Sequence, residues 1–175
     1  MNGTLTFRQA EEMSDSLAVY LRETCGLKKG DRVALQVPNG LSFPIAAFAI
    51  LKAGCVLVNV NPLYTAEEMA HQFDDADPKA LIVVDVFAEK LAEAVTAYPV
   101  PNIIVTQVAE FFPAMPRGIV RLVQKHWDKT LAPITVPHVR FPEAIENGRK
   151  AKTEGNISVA DYRADLTPDD IACLQ

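Results

Sequence analysis

Few of the 175 residues carry a pattern that could do chemistry. The chain has no G-x-S-x-G elbow for a nucleophilic serine, no G-x-G-x-x-G turn, no G-x-x-x-x-G-K-[ST] phosphate loop and no H-E-x-x-H metal pair. Asp74, Asp75 and Asp77 are close enough in sequence to suggest paired carboxylates, but adjacent acids at the end of a helix are more often a solvated turn. His71, His126 and His138 lie too far apart, and too far from any cysteine, for a zinc site. Cys25, Cys55 and Cys173 form no C-x-x-C, and an odd count leaves one thiol over in any disulfide scheme, as suits a reducing cytosol.

Two stretches deserve weighing. In Asn61-Pro62-Leu63-Tyr64, an Asn-Pro turn leads straight into a helix cap at Thr65, so a plain structural turn accounts for it, with Tyr64 stapling the cap. His71, one turn further on, reads as a packing or hydrogen-bonding residue rather than an acid or base. Residues 117–129 place Ile119, Val120, Val123 and Trp127 on one side and Arg117, Arg121, Lys125 and Lys129 on the other. A basic amphipathic helix of this kind either rests on an anionic membrane surface or docks on a sheet with its long cations snorkelling into water.

The elements that would position these residues alternate between strand and helix. Thr6 and Gln9 form a capping box before Ala10, Met13, Leu17, Tyr20 and Leu21, which recur at helical spacing until Gly26. A strand is predicted at 32–37, with Val33, Leu35 and Val37 on one face. A helix is expected over 42–53, capped by Ser42 and closed by Gly54, and apolar on nearly every side, as an interior helix would be. Strands at 55–60, 80–84 and 103–106 alternate with helices at 66–75 and 87–97. The even spacing leaves room for a helical crossover each time and is too long for hairpins, so the strands are parallel and covered on both faces. Beyond residue 107 the pattern weakens. A short helix at 142–148, a polar loop at 149–156 and a terminal strand in DDIACLQ are expected there.

Composition bounds the partners. With 49% hydrophobic and 22% charged residues the chain is an ordinary globular domain, and a net charge of -5 argues against nucleic acid as its main partner. The start MNGTLTF has no basic and apolar leader, and the longest apolar run, 43–51, is far short of the ~20 residues that span a bilayer.

Three stretches, LTFRQAEEMSDSLAVYL at 5–21, DRVALQVPN at 31–39 and LKAGCVLVNVNPLYTAEEMAHQF at 51–73, resemble the opening core motifs of the adenylate-forming acyl-CoA synthetase superfamily. Within it they resemble the bacterial long-chain fatty acid CoA ligases. The resemblance runs from about Leu5 to Gln175. It implies an α/β fold: a layered parallel-sheet subdomain with helices on both faces, the flavodoxin-like half of the family's N-terminal domain. One incomplete domain is expected over 1–175, with a regular βαβ core at 5–106 and an irregular extension at 107–175 leading toward the family's phosphate loop.

The resemblance also implies ATP, Mg2+ and coenzyme A as cofactors of the complete enzyme, a fatty acid as substrate and the remainder of the enzyme chain as partner. Asn61, Pro62, Leu63 and Tyr64 would then stand at the edge of the opening through which coenzyme A arrives. No catalytic residue and no metal ligand is assigned to this stretch, which is expected to be inactive alone and to bind none of these cofactors. A cytoplasmic location is expected, with 117–129 as a peripheral contact at the inner membrane. The alternative is a stand-alone, non-catalytic α/β binding module.

Overall fold

A computed structural model describes residues 4–108, 110–111 and 133–175. The candidate amphipathic helix at 117–129, with His126 and Trp127, lies outside the described residues. The elements run α1 Phe7–Val19, β1 Arg32–Gln36, α2 Ser42–Lys52, β2 Val56–Asn59, α3 Ala66–Ala76, β3 Ala80–Val84, α4 Ala88–Ala97, β4 Asn102–Thr106, β5 Val139–Arg140, α5 Phe141–Glu154 and β6 Cys173–Leu174.

The described strands form one sheet of order β5-β4-β3-β1-β2-β6, and every neighbouring pair is parallel. Its central run, β2-β1-β3-β4-β5, has the flavodoxin-like order. Alternation along the strands divides the core. Val33, Leu35, Ile82 and Ile104 pack with α1, α2 and α5, whereas Ala34, Leu81, Val83, Ile103 and Val105 pack with α3 and α4. Apolar strands buried on both faces are what a parallel sheet requires.

Local signals set most boundaries. Both capping boxes form: Thr6 Oγ1 accepts from the Gln9 amide at 3.2 Å, and Thr65 Oγ1 from the Glu68 amide at 3.2 Å. After α1 the helix widens by a residue per turn, and the Cys25 amide donates to the Tyr20 carbonyl at 3.0 Å. Gly26, at φ 71°, then lets the Leu27 amide reach back to the Leu21 carbonyl at 3.0 Å and stop the helix.

Three expectations need correcting and one extending. Ser42 is not a cap; it is the first helical residue, and its hydroxyl turns inward to Thr106. Nor is α2 wholly interior, because Phe48 is 54% and Leu51 36% exposed. The acids at the end of α3 are the solvated turn expected, but not only that: Asp77, its side chain 49% exposed, sits at the left-handed end of the helix and accepts from Arg32, Lys79 and Tyr98 at 2.7–3.0 Å, while Asp74 and Asp75 are exposed. Finally, the short helix at 142–148 and loop at 149–156 are one helix, α5, which runs through Gly148 to Glu154. Gly148 lies where α5 crosses α1, and a Cβ there would collide with the Ser16 carbonyl oxygen and stand 2.8 Å from its carbon. Glycine serves close packing at this point rather than termination.

From α5 the chain straps across the amino ends of β1 and β2. Tyr162 donates to Glu23 at 2.6 Å, Arg22 lies 4.9 Å from the Tyr162 ring centre, and Lys29 pairs with Asp170 at 2.9 Å. The strap delivers β6 to the sheet's edge beside β2. Among the described residues no helix is long and apolar enough to cross a membrane.

Candidate functional site

In an open parallel sheet, ligands gather at the carboxyl ends of the strands, where successive connections leave in opposite directions. Here β1 is followed by β2 on one side, and β3 lies on the other, so the crevice falls above β1 and β3. A cavity of about 420 Å³ occupies that position, walled by Val37, Pro38, Gly40, Val84, Val108 and Phe111. Pro38 cannot continue a strand ladder and turns the chain toward α2 through Asn39 and Gly40.

Polar groups at the base are tied to one another. The buried Ser42 and Thr106 hydroxyls meet at 2.9 Å and join the start of α2 to the end of β4. The Gln107 amide donates to Glu110 Oε2 at 3.1 Å, and Arg140 Nη2 lies 3.9 Å from the same carboxylate oxygen. The described lining contains no lysine or arginine. The start of α2 beside it gives little compensation: the Phe43 amide is used by the Gly40 carbonyl at 3.3 Å, and Pro44 has no N–H. A polyphosphate needs positioned cations or a run of free amides. The described lining therefore suits an uncharged, mainly apolar group and does not by itself fit ATP phosphates.

The loop Asn61-Pro62-Leu63-Tyr64 stands beside this crevice, at the carboxyl end of β2, and does not line it. Its turn chemistry is complete. Asn61 Oδ1 accepts from the Leu63 amide at 2.9 Å, the Asn61 carbonyl accepts from the Tyr64 amide at 3.1 Å, and Gln36 Nε2 donates to that carbonyl at 3.2 Å. Lys90 Nζ donates to the Tyr64 carbonyl at 3.0 Å, and the Tyr64 ring packs on the α3–α4 core together with Met69, the staple partner. The hydrogen bonds from the Thr65 amide and hydroxyl hold the Glu68 carboxyl below its usual range. Leu63 is left unexplained by the turn, 84% exposed at the rim. Gln36 is fully buried, and its Oε1 has no hydrogen-bond partner among the described atoms. His71 is exposed on α3, contrary to a packing role.

The sequence singled out residues 61–64, which form the expected turn before a capped helix, and did not single out the crevice. The signal for the crevice was present in Val37-Pro38-Asn39-Gly40, a break directly after the strand from which the order diverges. Locating it needed the strand order, which no local pattern encodes.

Comparison with known proteins gives a consistent result. The family model described as AMP-binding enzyme matches residues 1–175. A long-chain-fatty-acid–CoA ligase of Escherichia coli O6:H1 is 37% identical over 176 residues, covering all of this chain and 30% of that protein. One of Salmonella typhimurium is 38% identical over 175 residues, again covering 100% of this chain and 30% of the relative. The chain thus spans about 30% of the length of these relatives. Among solved structures, a benzoate CoA ligase from Burkholderia xenovorans LB400 superposes with a TM-score of 0.60 at 20% identity, over 81% of this chain and 23% of that one. That likeness concerns the fold.

Proposed function

Given that this chain belongs to the AMP-binding enzyme family, we propose that it forms the N-terminal part of a long-chain fatty acid CoA ligase. The parent enzyme joins a fatty acid to coenzyme A, consuming ATP and releasing AMP and pyrophosphate by way of an acyl adenylate. The observation that carries this reading is the 37% identity to a long-chain ligase over the whole of the chain. The motifs at 51–73 fall on the buried strand β2, its turn and the capped helix α3, which agrees with it.

The described residues alone do not fit a bound ATP with its Mg2+, since the described lining of the crevice holds no lysine or arginine. In this reading catalysis belongs to sequence beyond residue 175, and the 175-residue chain is inactive alone. Its contribution is the scaffold: a rigid sheet whose carboxyl ends form one wall of the ligand cradle. The Asn61–Tyr64 turn lies at the edge of the coenzyme A opening, with Leu63 as its exposed apolar contact. The basic amphipathic sequence pattern at 117–129 supports a contact between the parent enzyme and an anionic membrane surface, where a lipid-soluble substrate partitions.

The test is the parent enzyme, obtained by reading the coding sequence past Gln175. Palmitate-dependent formation of AMP and palmitoyl-CoA is expected from it, and no ATP–pyrophosphate exchange from the 175-residue chain. A parent that activates only an aromatic acid, or exchange by the isolated chain, would overturn the reading. Leu63→Glu in the parent should raise the KM for coenzyme A and leave ATP–pyrophosphate exchange unchanged, because exchange precedes thiol transfer.

A further inference from the structure

Residues 33–37 are apolar but for Gln36, which is fully buried. Alternation puts Gln36 on the face of Ala34, toward α3 and α4, where the sheet otherwise offers Leu81, Val83, Ile103 and Val105. A strand covered on both faces calls for an apolar side chain at such a place. A carboxamide loses its water on burial, and only the hydrogen bonds it then makes offset that loss. Gln36 Nε2 donates to the Asn61 carbonyl at 3.2 Å, and Oε1 has no partner among the described atoms. Leucine would fill the same space, so the bond to Asn61 is what this residue type contributes.

The same device recurs along the segment that leads into the turn. The Val60 amide donates to the Leu35 carbonyl at 3.0 Å, and side chains hold the carbonyls on either side of it. Gln72 Nε2 of α3 donates to the Asn59 carbonyl at 3.2 Å, and its Oε1 is again buried without a partner among the described atoms. Lys90 Nζ of α4 donates to the Tyr64 carbonyl at 3.0 Å. The turn closes without these donors, because Asn61 already takes the Leu63 and Tyr64 amides. What Gln36 and Lys90 add is place: they tie the first and last carbonyls of the turn to β1 and α4. Between those ties stands Leu63, 84% exposed. An apolar side chain on a backbone fixed in advance loses little entropy when it docks.

We propose that Gln36 and Lys90 are positioning residues for coenzyme A. Neither is asked to touch a reacting atom; together they hold the Asn61–Tyr64 turn so that Leu63 stands in one place at the coenzyme A opening. The proposal rests on the reading of this turn as the edge of that opening.

The test uses the parent enzyme and three variants. Gln36→Leu keeps most of the side-chain volume and removes the donor. Lys90→Met keeps the stem whose ammonium group lies 5.9 Å from the Phe87 ring centre, and Lys90→Arg keeps a cation that can donate. Gln36→Leu and Lys90→Met are each expected to raise the KM for coenzyme A about 10-fold, with kcat and the KM for ATP changed less than about 2-fold. Hydrogen exchange in the peptide that carries Leu63 and Tyr64, read by mass spectrometry, should quicken about 10-fold in both. Lys90→Arg should restore both values. Lys90 is half-buried, so Lys90→Met carries the test even where Gln36→Leu folds poorly.

Unchanged exchange at the turn would overturn the proposal. So would faster exchange with an unchanged KM for coenzyme A, or a KM for ATP that rises as much, which is the mark of a merely structural role. Leu63→Glu separates the two levels of the argument. If it alone raises the KM for coenzyme A, the positioning role fails and the placing of the turn stands. If none of the variants raises it, both fail.

Discussion

Replacing Gly148 by alanine tests whether close helix packing or helix propensity governs α5. In an unhindered helix interior the change is favourable by about 1 kcal/mol, because alanine loses less backbone entropy than glycine. Here the new Cβ would overlap the Ser16 carbonyl oxygen and stand 2.8 Å from its carbon and 3.0 Å from Tyr20 Cβ. A backbone carbonyl has no rotamer to move into, so α5 must lift away from α1. Overpacking of this kind costs about 1–3 kcal/mol. Lifting also loosens Phe141 and Ala144, both fully buried on the same helix, and each methylene lost from contact costs about 0.8 kcal/mol. The net expectation is a loss of about 1–3 kcal/mol, read as a fall in Tm of about 2–4 °C for each kcal/mol in a domain of this size. Urea unfolding followed by circular dichroism measures it. Gly40→Ala is the control, since its Cβ would meet the Pro38 carbonyl at an ordinary 3.8 Å, and a change within about 0.5 kcal/mol is expected. A Gly148→Ala chain as stable as the original, or more so, would show that the helices are not locked at this crossing.

Three further outcomes follow from the same geometry. Asp15 sits between Lys52 at 2.7 Å and Lys152 at 2.8 Å; burial alone would raise its pKa, but the two ammonium groups outweigh it and hold the carboxyl below 3.8. Its stabilisation is therefore complete above the unfolded value and lost as pH falls through the lower folded one. Asp15→Asn should cost about 1 kcal/mol near neutrality, and the difference in urea midpoint should vanish in strong acid. Ser42→Ala or Thr106→Val alone strands a buried hydroxyl and should cost about 1–3 kcal/mol, while the double variant costs less than the sum in a double-mutant cycle. Gly54→Ala should cost clearly more than Gly30→Ala in Tm. Both have φ of 70–82°, but only at Gly54 would a Cβ come within 2.9 Å of the Tyr162 carbonyl and push the strap outward.

The layered core was legible because its signals are local. Thr6 with Gln9 and Thr65 with Glu68 mark helix starts by a chemistry complete within four residues, and both boxes form as expected. The same holds for β3 and β4, where unbroken runs of Ile, Leu and Val can be satisfied only between two layers. Where a residue answers to a distant neighbour, the local rule fails. Ser42 has the type of a cap but bonds Thr106, 64 residues away. Gly148 has the type of a stop but is required by Ser16 on another helix, and Asp77, although half-exposed, gains Arg32 and Tyr98 from elsewhere as partners.

The site divides along the same line. The Asn61–Tyr64 turn could be found from sequence because Asn-Pro and the Thr65 cap act on their own neighbours, yet those bonds also satisfy the turn without a ligand. The crevice could not be found, since its walls come from the ends of β1, β3 and β4, which approach only after the connections reverse. Apolar surface on α2 gave the opposite error. A helix apolar all round reads as interior, but hydrophobicity reports that a face needs covering, not which part of the polypeptide covers it. Phe48 and Leu51 are exposed here although their composition demands burial. The outward flank of α2 is thus where the sequence pattern and the described surroundings part.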